Sequence, residues 1–556
     1  MEGSRAREPA EEGRARFHRV APLALLALIL FLPAMVRPSG EGEPGPSGPS
    51  MSLASVRSPD PEPTRAHPVG GPPRPRTAPA PPDFPSPLPA LRSEAEPRWR
   101  GFLSRALARA RERGIPLETI SFRVLLPDGG VIGHRDEVTM APASTLKIAT
   151  AAFALDLLGS SHLLRTDLLV DGPVIDGVLQ GSVIVVGHGD PATSSRAFPD
   201  DPVAELRPWV AALRARGIER IAGGLIADDR HLAGPGRRRE WPADQLDRWY
   251  CAPSGALNLN DNCVDVLLDS QSGEPTITLR PPSPLFTLAS TLRGTAARKE
   301  HRYRVDRPGD EWRIVVAGKF LRGVGERVHW VTVPDPTQAF LGAFAELLRS
   351  EGIAVEGGLG RGVAPEGATR VARIEHSVAS TLPVLLKNSQ NLYGDALLRV
   401  TGRESGGDGS FDRSGALLTL YAQRSLHGPS GLAVLDGSGL ARQNRVDCAT
   451  LVEVLRRADS AEWGPIFWEA LPIAGRDGTL EKRFRGSPLV GRLRGKTGHI
   501  SGVSGLAGGW QSDAGPVRFA ALTGGKGVKV SAFKSWWEET LGELDTALRS
   551  PEPSGR

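Results

Sequence analysis

APASTLKIATAAFALDLLG, residues 141–159, has the composition of a helix that begins near Ser144. Its opening, Ser144-Thr145-Leu146-Lys147, sets a lysine three residues after a serine, so the two side chains lie one turn apart on the same helix face. A serine hydroxyl is a poor nucleophile until a neighbouring base takes its proton, and a lysine amine is such a base when burial or a nearby cation lowers its pKa toward neutrality. Upstream, SFRVLLP (121–127) and VIGHRD (131–136) read as strands on either side of an Asp128-Gly129-Gly130 hairpin turn. The candidate nucleophile therefore sits where a hairpin hands over to a helix. A second S-x-x-K, Ser531 to Lys534, has no partner motif after it and reads as surface helix.

Before the hairpin, Trp99, Phe102, Leu103, Ala106, Leu107 and Ala110 recur at helical spacing and mark a helix ending at Gly114. Between about Arg165 and Glu375 the pattern changes to short β-branched runs (GSVIVVG, PTITLR, WRIVVAG, VHWVTV), with two helices near Val203 to Arg214 and Ala339 to Glu351. After Glu375 helices return. The chain closes with strands LVGRLRGK (489–496), GLAGGWQS (505–512) and VRFAALTG (517–524) and a helix over 534–549. This order predicts an α+β domain of antiparallel sheet and flanking helices, built from residues 94–163 and 375–547 and interrupted by a β-rich insert over 164–374 with two nested subdomains.

The front of the chain is different. Residues 20–36, VAPLALLALILFLPAMV, are apolar and follow Arg5, Arg7, Arg14, Arg16 and Arg19, which reads as an export signal; a removed signal peptide and a retained membrane anchor over 1–36 both remain open. Residues 37–93 are rich in Pro, Gly and Ser and are expected to be a disordered, semi-extended linker. The net charge of +5 is spread along the 556 residues without long basic runs, so no nucleic-acid surface is indicated. Three cysteines show no metal-ligand spacing. Cys251 and Cys263 are close enough to close a small disulfide loop in an oxidising compartment, and two buried free thiols are the alternative.

Two further motifs carry chemistry. Ser389-Gln390-Asn391 lies in LLKNSQNLYGDALLR, where a loop enters a helix; the hydroxyl can relay a proton to a leaving amine and the amide can hold a substrate carbonyl, although a serine there is also a common helix cap. Lys496-Thr497-Gly498 closes the strand LVGRLRGK, offering positive charge beside the serine, a hydroxyl for a carboxylate, and a glycine that lets substrate lie against the strand. The chain has only nine lysines and uses arginine for generic charge, so a lysine in each of two motifs has weight.

In the order S-x-x-K, S-x-N, K-T-G, these motifs resemble the penicillin-binding protein and serine β-lactamase superfamily. The roughly 240 residues between Ser144 and Ser389 narrow the resemblance to the class C low-molecular-mass D-alanyl-D-alanine carboxypeptidase/endopeptidases, peptidase family S13. PASTLKIAT, VVGHGDPAT, APSGALNLNDN, KNSQNLYGD, LDGSGLARQN, LPIAGRDGTL and GKTGHISGVSG are similar to that family's blocks in its order. The resemblance implies a transpeptidase/β-lactamase-like fold in which Ser144 attacks the carbonyl between two D-alanines, Lys147 is the base and Ser389 relays the proton. Asn391 and Lys496 would position and polarise, Thr497 and His499 would hold the terminal carboxylate, and the N–H groups of Ser144 and His499 would stabilise the oxyanion. It implies no metal or organic cofactor, peptidoglycan stem peptides as substrate, β-lactams as inhibitors, and a periplasmic or other extracytoplasmic site of action. One departure is His499, which stands where the family usually has Thr or Ser; a protonated imidazole could replace the hydroxyl as carboxylate partner. His188, in GHGDP, reads as a turn residue of the insert. A non-catalytic peptidoglycan or penicillin sensor, and a β-lactamase, are the alternative readings.

Overall fold

Val517, Phe519 and Ala521 are buried on one side of the strand Gly515–Gly524, and Ala520 and Leu522 on the other. An antiparallel strand buried on both faces belongs inside a sheet covered by helices on each side. The computed structural model describes residues 82–89, 91, 97–194, 198, 200–428, 431–525 and 527–549, and it has that arrangement. The five strands run in the order Arg494–Ile500, Val503–Ser512, Gly515–Gly524, Ile120–Leu125 and Val131–His134, each antiparallel to its neighbours. Phe122 is opposite Ala521 on one side and His134 on the other, so the hairpin read near the start of the domain completes a sheet begun by its last strands.

On one face lie the helices Pro97–Glu112 and Val530–Arg549. Trp99, Phe102, Phe122, Phe519, Trp536 and Trp537 fill the space beneath them, and the Trp536 indole donates to the Ala106 carbonyl at 2.8 Å. On the other face lie the helices Lys147–Leu157, Asn391–Glu404, Phe411–Ser425 and Cys448–Ser460. Residues 147–155 are all buried, as are 391–402. Helices buried on every side form the centre of a layer, and whatever polar groups they carry must be satisfied inside the protein.

The insert enters and leaves at one place. Its strands Leu163–Val170 and Thr369–Ser377 pair antiparallel with Leu163 opposite Ser377, and the Val378 N–H donates to the His162 carbonyl at 2.9 Å. Between them one core gathers Leu168, Val185, Trp209, Leu225, Phe340 and Phe344. A second, formed by Val264, Val266, Ile314, Val316 and Phe320, lies within it in sequence.

Several local expectations change. The strand predicted over 489–496 is instead Arg494–Ile500, so Lys496-Thr497-Gly498 lies inside the strand and does not end it. Residues 489–493 form turns, with Gly491 at φ +74° and the Leu493 N–H on the Leu489 carbonyl. Cys251, Cys263 and Cys448 are all buried and form no disulfide; burial holds Cys251 as a neutral thiol, its pKa pushed up to about 12. The expected linker ends earlier than residue 93 as a loose chain. Residues 82–89 have no regular secondary structure, but Phe84 packs against Tyr421, and Ser425, His427 and Arg456 bond to the carbonyls of Pro85, Leu88 and Pro89. The aromatic and the three carbonyl acceptors make this stretch worth ordering, which a reading based on proline content overlooked. The apolar run 20–36 lies outside the described residues, and among those described no helix is long and apolar enough to cross a membrane.

Candidate active site

The helix predicted near Ser144 begins as a tight turn, Ala143–Leu146, that runs on into Lys147–Leu157. Ala143 is held at φ +48°, a conformation that costs a non-glycine residue on the order of 1 kcal/mol or more and is kept only where the surroundings dictate it. Gly439 lies against this turn: a Cβ there would come within 1.9 Å of the Ala143 carbonyl. Gly498 does the same from the strand, where a Cβ would reach 2.6 Å from the Pro142 carbonyl. The glycine of K-T-G therefore makes room for the protein's own serine turn.

Lys147 is fully buried, and its Nζ has three partners: Ser144 Oγ at 2.9 Å, Asn391 Oδ1 at 2.7 Å and the Ser438 carbonyl at 2.7 Å. Burial lowers its pKa from 10.5 to about 7, with the neighbouring carboxyls of Asp395 and then Asp436 opposing the shift. Roughly half the amine is then neutral at pH 7, where an ordinary lysine would be neutral about once in three thousand molecules.

Ser389 also sits at positive φ, +63°. Its Oγ accepts from the Lys496 Nζ at 2.8 Å, and the same amine donates to the Thr497 carbonyl at 2.9 Å. Burial, and next the charge of Lys147, push the Lys496 amine well below the usual lysine range, so it is less firmly a cation than the motif suggested. The insert supports this segment directly. Asn391 donates to the Tyr250 carbonyl at 2.7 Å, and Gln390 donates to the buried Asp261 at 2.8 Å. Asp261 is the middle of three left-handed residues, Asn260, Asp261 and Asn262, residue types that tolerate this conformation, and the Asn260 and Asn262 side chains bond to nearby backbone.

The structure thus gathers Ser144, Lys147 and Asn391 in one hydrogen-bonded set and Ser389, Lys496 and Thr497 in another, near enough for the charge of Lys147 to act on Lys496, with Gly498 packed against the serine turn. His499 follows on the same strand with its side chain exposed. Partial burial of the ring and then the charge of Lys534 lower its pKa, with a hydrogen bond to the Val503 backbone opposing, which favours the neutral imidazole over a protonated carboxylate partner. Lys534 comes from the second S-x-x-K; Ser531 itself is exposed. His188 stays in the insert, facing Asp167 at 3.4 Å and the His231 ring.

Four residues were missed by motif reading. Thr479 puts its hydroxyl 2.8 Å from that of Thr497. Ser438 supplies a carbonyl to Lys147, and Asp395 and Asp436 face that amine. All lie in blocks quoted above, but nothing in their spacing signals a role, because each acts through folding across distant segments.

Comparison with known proteins supplies the family and the fold. A model of the D-Ala-D-Ala carboxypeptidase 3 (S13) family matches residues 124–535. The chain is 29% identical over 408 residues to a D-alanyl-D-alanine carboxypeptidase of Actinomadura sp. (strain R39), covering 69% of this chain and 73% of that one. It is 28% identical over 387 residues to the D-alanyl-D-alanine carboxypeptidase DacB of Haemophilus influenzae, covering 68% and 79%. The crystal structure of penicillin binding protein 4 (dacB) from Haemophilus influenzae shares the fold, with a TM-score of 0.68 at 24% identity over 80% of this chain and 99% of that one. The chain belongs to the D-Ala-D-Ala carboxypeptidase 3 (S13) family and is a serine-type D-Ala-D-Ala carboxypeptidase, a peptidase among the hydrolases.

Proposed function

We propose that Ser144 is the nucleophile and Lys147 its base, acting on the D-alanyl-D-alanine ends, and the related cross-links, of peptidoglycan stem peptides. The observation that carries this reading is the set of contacts at the Lys147 amine. A neutral amine has two N–H bonds and one lone pair. Asn391 Oδ1 and the Ser438 carbonyl can only accept, so they take the two N–H bonds and leave the lone pair for the Ser144 hydroxyl.

On that reading, the Ser144 proton passes to Lys147 Nζ as Oγ bonds to the carbonyl carbon between the two D-alanines. The N–H groups of Ser144 and His499 receive the oxyanion. As the C–N bond breaks, the proton that Lys147 took from Ser144 passes by way of the Ser389 hydroxyl, held by Lys496, to the leaving amine, and Lys147 is neutral again. Water then adds to the acyl-enzyme, gives its proton to Lys147, and releases the shortened peptide with Ser144 restored. The substrate carboxylate is taken by the hydroxyls of Thr497 and Thr479, and its charge raises the proton affinity of Lys496 beside it. A β-lactam, a strained amide with a neighbouring carboxylate, acylates the same serine. The domain over 94–163 and 375–547 carries the chemistry and the insert over 164–374 braces the S-x-N segment, in an enzyme that works outside the cytoplasm.

The test is release of D-alanine from a stem pentapeptide together with mass-spectrometric location of bound penicillin. Ser144→Ala loses both activities and Ser531→Ala keeps both. Penicillin bound covalently to any other residue refutes the assignment.

A further inference from the structure

Two buried aspartates face the Lys147 amine, and the steps above use neither. Their surroundings differ. Asp436 receives four donors, the Gly439 N–H at 2.7 Å and Asn444 Nδ2 at 2.9 Å on one oxygen, the Ala441 N–H at 2.7 Å and the Trp241 indole at 2.9 Å on the other. That is the shell of an anion. Asp395 accepts two backbone bonds, from the Gly437 N–H at 2.9 Å and the Ser438 N–H at 3.0 Å, both on Oδ1, and the Ser438 side chain adds a weaker influence that favours the charged form. Asp395 Oδ2 is buried and has no hydrogen-bond partner among the described residues.

The position of Asp395 gives its Oδ1 a purpose. It lies one helical turn after Asn391, on the same face of the helix Asn391–Glu404. The turn it grips offers two carbonyls to the serine helix: Gly437 accepts from Thr150 Oγ1 at 2.8 Å and Ser438 accepts from Lys147 Nζ at 2.7 Å. Helix and turn touch backbone to backbone, since a Cβ on Gly437 would lie 2.1 Å from the Gly394 carbonyl. The N–H groups of Gly437 and Ser438, whose carbonyls meet the serine helix, are both held by Asp395.

We propose that Asp395 is a positioning residue of this reaction and acts as a neutral carboxylic acid: Oδ1 holds the turn so that the Ser438 carbonyl aims Lys147 at Ser144, and a proton on Oδ2 leaves the amine free of a second anion. The inference rests on the assignment of Ser144 and Lys147. The groups facing Asp395 are Lys147 from the serine helix, Asp436 from the loop, Arg399 from its own helix and Cys251 from the insert. Arg399 directs its guanidinium to the carbonyls of Gly409, Ser254 and Ala233 and makes no bond to Asp395. Cys251 is a neutral thiol. Burial, and next the Asp436 charge, push the Asp395 carboxyl well above the usual carboxylate range, with Lys147 opposing. Of two carboxyls near one amine, the one with donors on both oxygens suits the anion and the one with a bare buried oxygen suits the acid.

The test measures acylation by labelled penicillin from pH 5.5 to 9 in the full chain, with the labelled residue located in each case. Asp395→Ala frees the turn and slows acylation about a hundredfold. Asp395→Asn keeps an oxygen for the two N–H donors, recovers the rate to within about fivefold, and leaves the midpoint of the acid limb within a few tenths of a pH unit of wild type. A midpoint moved down by about one unit or more in Asp395→Asn shows that an ionised Asp395 was raising the Lys147 pKa, and overturns the proposal. Asp395→Ala with the wild-type rate also overturns it. Should Asp395→Ala lack a cooperative melt, the Asp395→Asn profile decides. Label on Ser144 with a displaced midpoint refutes this inference alone, whereas label on another residue refutes the assignment beneath it.

Discussion

Lys147 and Asn391, 244 residues apart in sequence, are joined by a 2.7 Å hydrogen bond from the lysine amine to the asparagine side-chain oxygen. Every residue of the insert lies between them in the chain. The insert leaves this contact intact because its first and last strands pair and return the chain to where it left. It also contributes to it, since the Tyr250 carbonyl holds the other end of the asparagine amide.

The acid limb of acylation follows from the buried amine. Lys147 is a base only when neutral, and burial has lowered its pKa to about 7, so the neutral fraction grows as pH rises through 7. The rate constant for acylation should increase about tenfold between pH 6 and 8. Lys496 is also depressed and interacts with Lys147, so the limb belongs to the coupled pair. Stopped-flow acylation checks this, and a flat profile over that range would show that no amine of this kind is the base.

Thr479 is expected to hold the carboxylate with Thr497. Removing one hydroxyl donor costs about 1 to 1.5 kcal/mol, so Thr479→Ala should lower kcat/KM for a stem peptide about five- to tenfold, mostly through KM. A peptide amidated at its C-terminus offers no carboxylate and should show no such difference between the two enzymes. Equal losses on both peptides would make Thr479 a purely structural neighbour.

His499→Thr tests the departure from the family pattern. Burial and the Lys534 charge depress the imidazole, and a depressed histidine is charged only at lower pH. Between pH 6.5 and 8 wild type and variant should therefore differ by a constant factor in kcat/KM. An extra fall in the wild-type profile across that range would reinstate a protonated His499 as carboxylate partner.

The docked stretch 82–89 should contribute stability without contributing to chemistry. Its partners, Tyr421, Arg424, Ser425, His427 and Arg456, include no residue of the site. A chain starting at Ser93, or Phe84→Ala in the full chain, should melt a few degrees lower, consistent with a loss of about 1 to 2 kcal/mol, while kcat/KM stays within error. An unchanged melting temperature would mean that the stretch is not docked in solution.

Local rules determined much of this protein. A lysine one turn from a serine, a hairpin turn between alternating strands and a tryptophan-rich closing helix are short-range patterns, and backbone geometry alone makes them readable. The order of three motifs and the long gap between the first two were enough to anticipate the class of fold and of enzyme. Tertiary structure decided the rest, because the deciding quantities are burial and contact between distant segments. Composition cannot say that Lys147 is sealed from water and so poised near pH 7, that Cys251 and Cys263 form no disulfide, or that Phe84 anchors a proline-rich stretch. Neither does spacing reveal that Thr479 meets Thr497, or that one oxygen of Asp395 is gripped and the other bare. Proton affinity depends on the dielectric and the donors around a group, and these exist only once the chain has closed around it.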